Sequence, residues 1–325
     1  MTRVAVLDDW QNAAESSADW GVLRSRAEVV FFRSPFADEA AAASALIDFD
    51  VVMAMRERTP FPVSLVARLP KLRMFNLTGA RAALVDAVAL AEHGATVCYT
   101  GGGESGTATA ELAFGLILAA ARHIAAGDAS LKAARFQEPV PVGFDLAGKT
   151  LGLVGLGLIG ARVAGYASAF GMDVTAWSPH LTTERAARAG ARSLPKEELF
   201  RDAHVVSLHL VLSDATRGIV GRPELALLRQ GAVLVNTSRA GLIDRTALLD
   251  ALQSHRIVAA MDVFDREPLP ADDPLRRAPH TVLTPHLGYA TIETYGDFYR
   301  QSVENVLAFL DGKPIRVLKA PSVTT

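Results

Sequence analysis

The segment at residues 151–170 constrains the fold of this chain more than any other. An apolar run at 151–154 is followed by Gly155-x-Gly157-x-x-Gly160 and then by a stretch at 161–170 that predicts a helix. This order of strand, glycine turn and helix is typical of a dinucleotide-binding βαβ unit. In such a unit Gly155 permits the tight turn, Gly157 lets the backbone approach a pyrophosphate, and Gly160 lets the helix pack closely on the strand. A glycine-rich turn alone can serve only to reverse the chain, but in this context it predicts that the helix N-terminus binds phosphates.

Length and composition limit the classes of protein to which this chain can belong. It has 325 residues, of which 50% are hydrophobic and 21% charged, with a formal net charge of −2, as expected for about two soluble domains. It has no long run of one charge and no apolar stretch long enough for a bilayer, so we expect neither a nucleic-acid partner nor a membrane. The N-terminus starts with strand-like residues 4–7 instead of a signal peptide, which predicts a cytoplasmic protein.

The single cysteine, Cys98, excludes an intrachain disulfide. It lies in a strand-like run at 95–99, which favours a buried small hydrophobic residue over a reactive thiol.

Strand-like and helix-like segments alternate along the whole chain. The predicted strands are at 4–7, 29–32, 51–55, 73–77, 96–99, 151–154, 173–177, 205–209, 232–236, 258–261 and 282–283. The predicted helices are at 38–47, 62–68, 84–92, 109–126, 161–170, 183–189, 196–201, 223–228, 245–254 and 292–310. This alternation predicts an α/β fold built from doubly wound parallel sheets. The helix at 109–126 is apolar on nearly all sides, so we expect it to be buried between domains or subunits.

Three late segments each place an ionisable residue just after a predicted strand. They contain Arg239, Glu267 and His286. Ligands of open α/β sheets bind at the carboxyl ends of the strands. There, a histidine can exchange a proton with a hydroxyl near neutral pH, a neighbouring glutamate favours the imidazolium, and an arginine can hold a carboxylate or carbonyl oxygen. Taken singly, each has an equally good structural explanation: a surface ion pair for Arg239, a solvated loop for Glu267 and a cap for His286.

Together with the glycine turn, these segments resemble the D-isomer-specific 2-hydroxyacid dehydrogenases over nearly the whole chain. The shared motifs are Gly155-Leu-Gly-Leu-Ile-Gly160, Asn236-Thr-Ser-Arg-Ala-Gly241, Asp262-Val-Phe-x-x-Glu267-Pro-Leu269 and Thr284-Pro-His-Leu-Gly288. A Met-Arg-Glu-Arg-Thr segment at 55–59 is similar to the phosphoglycerate-dehydrogenase-like branch. The resemblance implies hydride transfer between NAD or NADP and C2 of a D-2-hydroxy acid or 2-keto acid, with a substrate similar to 3-phosphoglycerate or to glyoxylate and hydroxypyruvate.

The resemblance also implies the site residues. The catalytic residues would be Arg239, Glu267 and His286, and no metal-ligating set is predicted. Substrate would be bound by Arg56, Arg58, Gly79, Ala80, Arg81 and Arg239. The cofactor would be bound by Thr109, Gly155, Gly157, Leu158, Ile159, Gly160, Ser178, His209, Thr237, Ser238, Asp262, His286 and Gly288.

The same resemblance predicts two Rossmann-like domains. A cofactor domain at 104–289 would be inserted into a substrate domain formed by 1–103 and 290–325, without the regulatory C-terminal domain of longer relatives. Family members dimerise through the cofactor domain and the helix at 109–126, so a homodimer is expected.

Ser178 departs from the family pattern. NAD-preferring members have an aspartate at the end of the second strand of the cofactor domain, where it binds the adenosine ribose. A serine there does not repel a 2′-phosphate, and His180, Thr182, Thr183 and Arg185 follow closely. Ser178 can equally well bind the ribose of NAD, so the sequence leaves NAD and NADP open.

Two other functions use similar sequence features. A dinucleotide-sensing binding protein, such as a corepressor, can have this fold. A methyltransferase also uses a glycine-rich turn after a strand, but it has no use for the later arginine, glutamate and histidine. The presence of all three favours the dehydrogenase.

Overall fold

The computed structural model describes residues 1–79, 84–102 and 106–318 of the chain. The chain divides into two compact units, one formed by Met1–Glu104 and Ala290–Thr325 and the other by Ser105–Tyr289.

The described residues form alternating strands and helices in both units. The strands are β1 (Thr2–Val6), β2 (Ala27–Phe31), β3 (Val51–Ala54), β4 (Met74–Leu77), β5 (Thr96–Tyr99), β6 (Thr150–Val154), β7 (Asp173–Trp177), β8 (Arg192–Ser193), β9 (Val205–Leu208), β10 (Ala232–Asn236), β11 (Ile257–Met261) and β12 (Thr281–Leu283). The α-helices are α1 (Gly21–Arg24), α2 (Glu39–Leu46), α3 (Val63–Val66), α4 (Ala87–Glu92), α5 (Thr107–Ala121), α6 (Ile124–Lys132), α7 (Leu158–Ala169), α8 (Thr183–Arg188), α9 (Lys196–Asp202), α10 (Arg222–Leu227), α11 (Arg245–Gln253) and α12 (Ile292–Leu310). Short 3₁₀ helices lie at Ala240–Leu242 and Pro274–Arg277.

The first unit contains a parallel sheet of five strands in the order β2-β1-β3-β4-β5. Strand order reverses between β1 and β3, and in such sheets ligands bind outside the carboxyl ends of the strands at this reversal. Helix α12 returns to this unit and packs on β4, where Asn76 Nδ2 donates to Ser302 Oγ at 2.8 Å. A ligand-binding site in this unit is therefore expected at the carboxyl ends of β1 and β3.

The second unit contains a parallel sheet of seven strands in the order β12-β11-β10-β9-β6-β7-β8. One hydrophobic core joins the sheet to α5 and α7, and a second core joins it to α9, α10 and α11. The inner strands β9 and β10 are buried at every position, which explains their nearly continuous apolar sequences. Strand order reverses between β6 and β9, beside the glycine turn.

These observations confirm the predicted fold class of two doubly wound parallel sheets. The last helix spans the residues expected for it, Ile292–Leu310. Cys98 lies in β5 and is fully buried, and burial raises the pKa of its thiol to about 11.

The prediction of one helix at 109–126 was wrong. Helix α5 ends at Ala121, and α6 begins at Ile124 after His123, whose φ of 51° breaks the hydrogen-bond ladder. Most of α5 is buried in the core of its own unit, against α7 and the central strands. Its apolar sequence is therefore explained without a second subunit.

Among the described helices, no single one is long and apolar enough to cross a membrane; only α5 and α6 taken together reach that length, and they are bent by 64° at the break.

Candidate active site

The second unit brings most of the predicted site residues to one edge of its sheet. Because all neighbouring strands are parallel, their carboxyl ends share this edge. The glycine turn follows β6, Ser178 follows β7, His209 follows β9 and Thr237 follows β10, while the segments that contain Glu267 and His286 follow β11 and β12.

Two of the three glycines in the turn lie in contacts that leave no room for a side chain. Gly155 has a φ of 103°, and a Cβ there would lie 2.7 Å from the carbonyl carbon of His209. A Cβ on Gly160 would lie 2.3 Å from the carbonyl oxygen of Gly155. A Cβ on Gly157 would meet nothing within 4 Å, so open space lies on that side of the turn. Each glycine thus has the environment expected in a dinucleotide fingerprint.

Helix α7 begins directly after this turn. Its N-cap is Gly157, which provides no side-chain cap, so the N–H groups of the first turn face the open side of the loop without a capping oxygen. Leu158 is exposed and Ile159 is partly buried against the core. Thr237 Oγ1 is buried and has no hydrogen-bond partner among the described residues. Uncapped N–H groups, open space and an unsatisfied hydroxyl fit the phosphates and ribose of a dinucleotide.

Ser178 occupies the position after β7 that was predicted to face the adenosine ribose. It is half-buried, and its carbonyl accepts from the N–H of Leu181 at 3.1 Å. Arg185 lies in α8, where its Nη1 donates to the carbonyl of His180 at 3.1 Å. The guanidinium of Arg185 therefore contacts the loop that follows Ser178.

His209 is held between two strands at this edge. Its Nε2 lies 3.0 Å from Ser207 Oγ, and its backbone N–H donates to the carbonyl of Val154 at 2.8 Å. Burial lowers the pKa of His209 to about 4, so its imidazole is neutral at pH 7. A neutral ring is compatible with a cofactor-lining role and leaves proton exchange to another group.

His286 and Glu267 form the closest pair of ionisable groups at this edge. The Nδ1 atom of His286 lies 2.6 Å from Glu267 Oε2, and the other carboxylate oxygen accepts from the N–H of Phe264 at 2.9 Å. A carboxylate only accepts, so Nδ1 carries the proton and Nε2 is left for proton exchange. About a quarter of each side chain is exposed, at 26% and 27%, which leaves the pair accessible to a ligand.

Asp262 organises the loop that carries His286. Its carboxylate accepts from Thr284 Oγ1 at 2.6 Å and from the N–H groups of Leu287 and Gly288 at 2.8 and 2.9 Å. The N–H of His286 donates to the carbonyl of Asp262 at 2.8 Å. Burial raises the pKa of Asp262, while these donors and the charge of His286 oppose that effect. Asp262 therefore fixes the backbone from which His286 projects.

Thr109 connects the same loop to helix α5. Its hydroxyl donates to the carbonyl of Gly288 at 2.8 Å, and a Cβ on Gly288 would lie 3.3 Å from Asp262 Oδ2. The structure thus brings together three residues predicted to bind the cofactor, and it gives them contacts with one another.

Arg239 follows β10 in a loop fixed by its neighbours. Asn236 Nδ2 donates to the carbonyl of Arg239 at 2.9 Å, and Ser238 Oγ donates to the carbonyl of Leu210 at 2.6 Å. The half-buried guanidinium donates from Nη1 to the carbonyl of Ser238 at 2.8 Å. The planar fork of a guanidinium suits a carbonyl or carboxylate oxygen.

The predicted substrate residues of the first unit lie after β3 and β4. Arg56 has a φ of 52°, and its side chain packs so closely on Gly79 that a Cβ there would lie 1.9 Å from Nη1 of Arg56. The N–H of Gly79 donates to Thr100 Oγ1 at 3.0 Å, so this amide already has a partner. Ala80 and Arg81 lie outside the described residues.

Arg58 is anchored in a cluster that the sequence did not reveal. Its Nη1 donates to the carbonyl of Asp8 at 2.6 Å, and its Nη2 donates to Tyr295 Oη at 3.1 Å. The guanidinium carbon lies 4.7 Å from the ring centroid of Trp10. These contacts place Arg58 at the reversal between β1 and β3.

Asp8 is the unexpected member of this cluster. It is 1% exposed, and one carboxylate oxygen accepts from Thr59 Oγ1 at 2.8 Å. The other oxygen has no hydrogen-bond partner in the described part of the chain. Burial raises the pKa of Asp8 to about 6, against the opposing effects of Thr59 and Arg58. The signal in the sequence was a pair of aspartates at 8–9 directly after a predicted strand.

Comparison with known proteins identifies the class of the chain. The family model of the D-isomer specific 2-hydroxyacid dehydrogenase, NAD binding domain, matches residues 114–288. The chain belongs to the family of D-isomer-specific 2-hydroxyacid dehydrogenases, and the matched residues, which include the glycine turn, correspond to its NAD-binding domain.

Individual relatives cover most of the chain. It is 35% identical to the D-3-phosphoglycerate dehydrogenase of Bacillus subtilis over 88% of this chain and 54% of that protein. It is 34% identical to the glyoxylate reductase of Korarchaeum cryptofilum over 78% of each protein. A solved phosphoglycerate oxidoreductase from Vibrio cholerae has 36% identity and a TM-score of 0.91, with 96% of this chain and 100% of that chain covered. The chain spans about half the length of the phosphoglycerate dehydrogenases that it matches.

Proposed function

We propose that this chain is an NAD(P)-dependent D-2-hydroxyacid dehydrogenase. The observation that carries the proposal is the hydrogen bond between His286 Nδ1 and Glu267 Oε2, at the same sheet edge as the glycine turn. A nicotinamide cofactor supplies the hydride chemistry when bound. The protein contributes binding, orientation and a positioned proton donor or acceptor.

His286 is the acid/base of the proposed reaction. In the oxidative direction its neutral Nε2 accepts the proton of the substrate hydroxyl; in the reductive direction the imidazolium donates a proton to the carbonyl oxygen. Glu267 holds Nδ1 and stabilises the imidazolium that forms. Asp262 fixes the backbone on both sides of the histidine through its three accepted hydrogen bonds.

Three arginines and the loop at 79–81 are proposed to bind the substrate. Arg239 holds the carbonyl oxygen and orients the carboxylate through its planar fork. Arg56, Arg58 and the loop at 79–81 are proposed to hold the carboxylate and any further acidic group. Because the N–H of Gly79 donates to Thr100, the loop must use other amides. The relatives' names suggest 3-phosphoglycerate or glyoxylate as substrates, and the sequence motifs add hydroxypyruvate as an expectation.

The roles of the two units follow from these assignments. Residues 104–289 are proposed as the cofactor domain, and residues 1–103 with 290–325 as the substrate domain. The cofactor is NAD or NADP, since Ser178 has no charge to exclude a 2′-phosphate and the guanidinium of Arg185 in α8 contacts the loop that follows Ser178.

We also propose a cytoplasmic homodimer that binds neither nucleic acid nor membrane. Support for the dimer comes from four exposed apolar side chains that follow α5 along the chain, Ile124 at 55%, Leu131 at 64%, Phe136 at 77% and Val142 at 97% exposure. Packing these side chains against a second copy of the chain would remove their apolar surface from water. Light scattering at micromolar protein is expected to give twice the chain mass, and a monomer mass would contradict the dimer.

A spectrophotometric assay tests the function. Reduced NAD or NADP is mixed with the protein and with each member of a panel of 2-keto acids, including glyoxylate, hydroxypyruvate and 3-phosphohydroxypyruvate. Loss of the reduced-nicotinamide absorbance with at least one acid is expected. Tight cofactor binding without loss for any acid would instead favour the alternative, a dinucleotide-sensing protein similar to a corepressor.

A further inference from the structure

A cavity lies at the opposite edge of the second unit's sheet, away from the proposed active site. Its volume is about 390 Å³, and it is lined by Phe144 and by residues that lie at or just before the start of three strands. This is the edge at which the parallel strands begin, whereas the glycine turn, Glu267 and His286 lie where the strands end. Nothing in the proposed reaction uses it.

Three basic side chains line this cavity. Lys149 directly precedes β6, His204 directly precedes β9, and Arg229 lies three residues before β10. The three strands are neighbours, because β9 pairs with both β6 and β10. The fold therefore gathers onto one edge three basic groups that are far apart in the sequence.

The described residues that line the cavity contribute no negative charge. Its lining includes no aspartate or glutamate among the described residues, and its remaining polar side chain is the amide of Gln230. Surface arginines elsewhere in the same unit pair with carboxylates, for example Arg222 with Asp250 at 2.6 Å and Arg192 with Asp173 at 2.7 Å. An uncompensated cluster of cations in a concave site favours an anion.

His204 is held in the tautomer that donates to such an anion. Its Nδ1 accepts from the backbone N–H of Thr150 at 3.1 Å, so the proton of the neutral ring is on Nε2. Burial lowers the pKa of His204, and the positive charges of Arg229 and Lys149 lower it further. The charges of Arg229 and Lys149 are therefore close enough to affect the imidazole of His204. The imidazole is neutral at pH 7 and can donate a hydrogen bond from Nε2.

We propose that this cavity binds the phosphate group of a small molecule. The guanidinium fork of Arg229 suits phosphate oxygens, Lys149 adds a compact charge, and His204 adds a directional donor. The volume exceeds the needs of a phosphate ion and falls in the range of small-molecule sites. The phosphate is free or part of an organic phosphate, and the chemistry of recognition is the same for both.

Nuclear magnetic resonance of the histidine rings tests this site, with His204→Asn to assign the resonance. Inorganic phosphate and glucose 6-phosphate are added in separate arms, with chloride at matched ionic strength as the reference. The pKa of His204 is expected to be higher in phosphate than in chloride, because a bound anion favours the imidazolium. If glucose 6-phosphate raises the pKa of His204 more than inorganic phosphate does, the cavity also binds the organic part of the ligand. If the two ligands raise it equally, the cavity binds only the phosphate group.

Calorimetry of the same ligands gives an independent measure. Arg229→Gln and Lys149→Gln are each expected to weaken phosphate binding about tenfold or more, the loss of one charge-assisted contact. Arg222→Gln removes an equal charge outside the cavity and is expected to change nothing. All three variants should keep reduced-cofactor binding, which shows that they fold. Absence of phosphate binding to the wild-type protein, or binding that survives both cavity variants, would overturn the proposal.

Discussion

The Nδ1 atom of His286 lies 2.6 Å from Oε2 of Glu267, whose other oxygen accepts from the backbone of Phe264. The glutamate is thus held at both oxygens, and it holds the imidazole in turn. This arrangement fixes the tautomer of His286 and directs Nε2 to proton exchange. Substitutions can therefore test the proton exchange at His286 and the charge of Glu267 separately.

Replacing His286 removes the proposed acid/base. His286→Asn is expected to lower kcat about 10²-fold or more while the protein still binds the reduced cofactor. Asparagine suits the site because the backbone φ at this position is 53°, and asparagine tolerates that conformation. His280→Asn, on the loop before β12, is the matched control. A His286→Asn variant with nearly full kcat would exclude this residue as the acid/base.

Replacing Glu267 tests its coupling to His286. Glu267→Gln keeps the shape of the side chain but removes the charge that favours the imidazolium. Reduction needs the protonated ring, so its pH–rate profile is expected to move toward lower pH. Asp265→Asn, in the same loop but exposed and near Arg245, should leave the profile in place. Identical profiles for Glu267→Gln and wild type in both directions would show that the pair is not coupled.

Asp8 is expected to make stability fall as pH rises. Burial raises its pKa from 3.8 to about 6 in the folded protein, so the folded state binds this proton more tightly than the unfolded chain. Burying the ionised carboxylate costs free energy of folding. This cost is absent below about pH 4, where Asp8 is protonated in both states, and it is complete above about pH 6, where Asp8 is ionised in both. Asp8→Asn retains an acceptor for Thr59 and should raise the free energy of unfolding by up to about 3 kcal/mol at pH 8.

Denaturant unfolding of the Asp8→Asn variant between pH 4 and pH 8 provides the measurement. Asp48→Asn serves as the control, because Asp48 is an exposed carboxylate whose pKa is lowered mainly by its hydrogen bond to Lys71. Asp48→Asn should slightly lower the free energy of unfolding at pH 8, whereas Asp8→Asn should raise it. An Asp8→Asn protein whose stability follows the wild-type pH curve would contradict the account of this carboxyl.

Ser178 offers a test of cofactor choice. Ser178→Asp introduces a charge that repels a 2′-phosphate, so the ratio of kcat/KM for NADP over NAD is expected to fall about tenfold or more. Ser178→Asn has a similar size without charge and is the matched control. A ratio that does not move with Ser178→Asp would mean that residue 178 does not face the adenosine ribose.

Much of the fold could be predicted because its signals are local. The buried strands of the second unit are apolar runs, and the turn at Gly155 needs a φ of 103° that glycine readily adopts. The break between α5 and α6 could not be predicted, because the apolar pattern continues across it and His123 takes a positive φ without a glycine. The two-residue strand Arg192–Ser193 is too short for any periodicity.

The site was predictable where motif residues lie close to a strand end. Glu267 and His286 were identified in this way, and their 2.6 Å contact gives the prediction a geometric basis. The cluster around Arg58 was not, because its partner Tyr295 is 237 residues away in the chain. Contacts of this kind depend on tertiary packing and have no local pattern.

Transfer of deuterium tests the central claim most directly. Reduced cofactor with deuterium at both C4 positions of the nicotinamide is incubated with the protein and with the 2-keto acid, other than glyoxylate, that gives the fastest loss of absorbance. The product is then analysed by nuclear magnetic resonance and by chiral chromatography. The account predicts a D-2-hydroxy acid with deuterium at C2, formed at a rate that falls about 10²-fold with His286→Asn. A product without deuterium at C2, a product of L configuration, or no turnover of any 2-keto acid would contradict it.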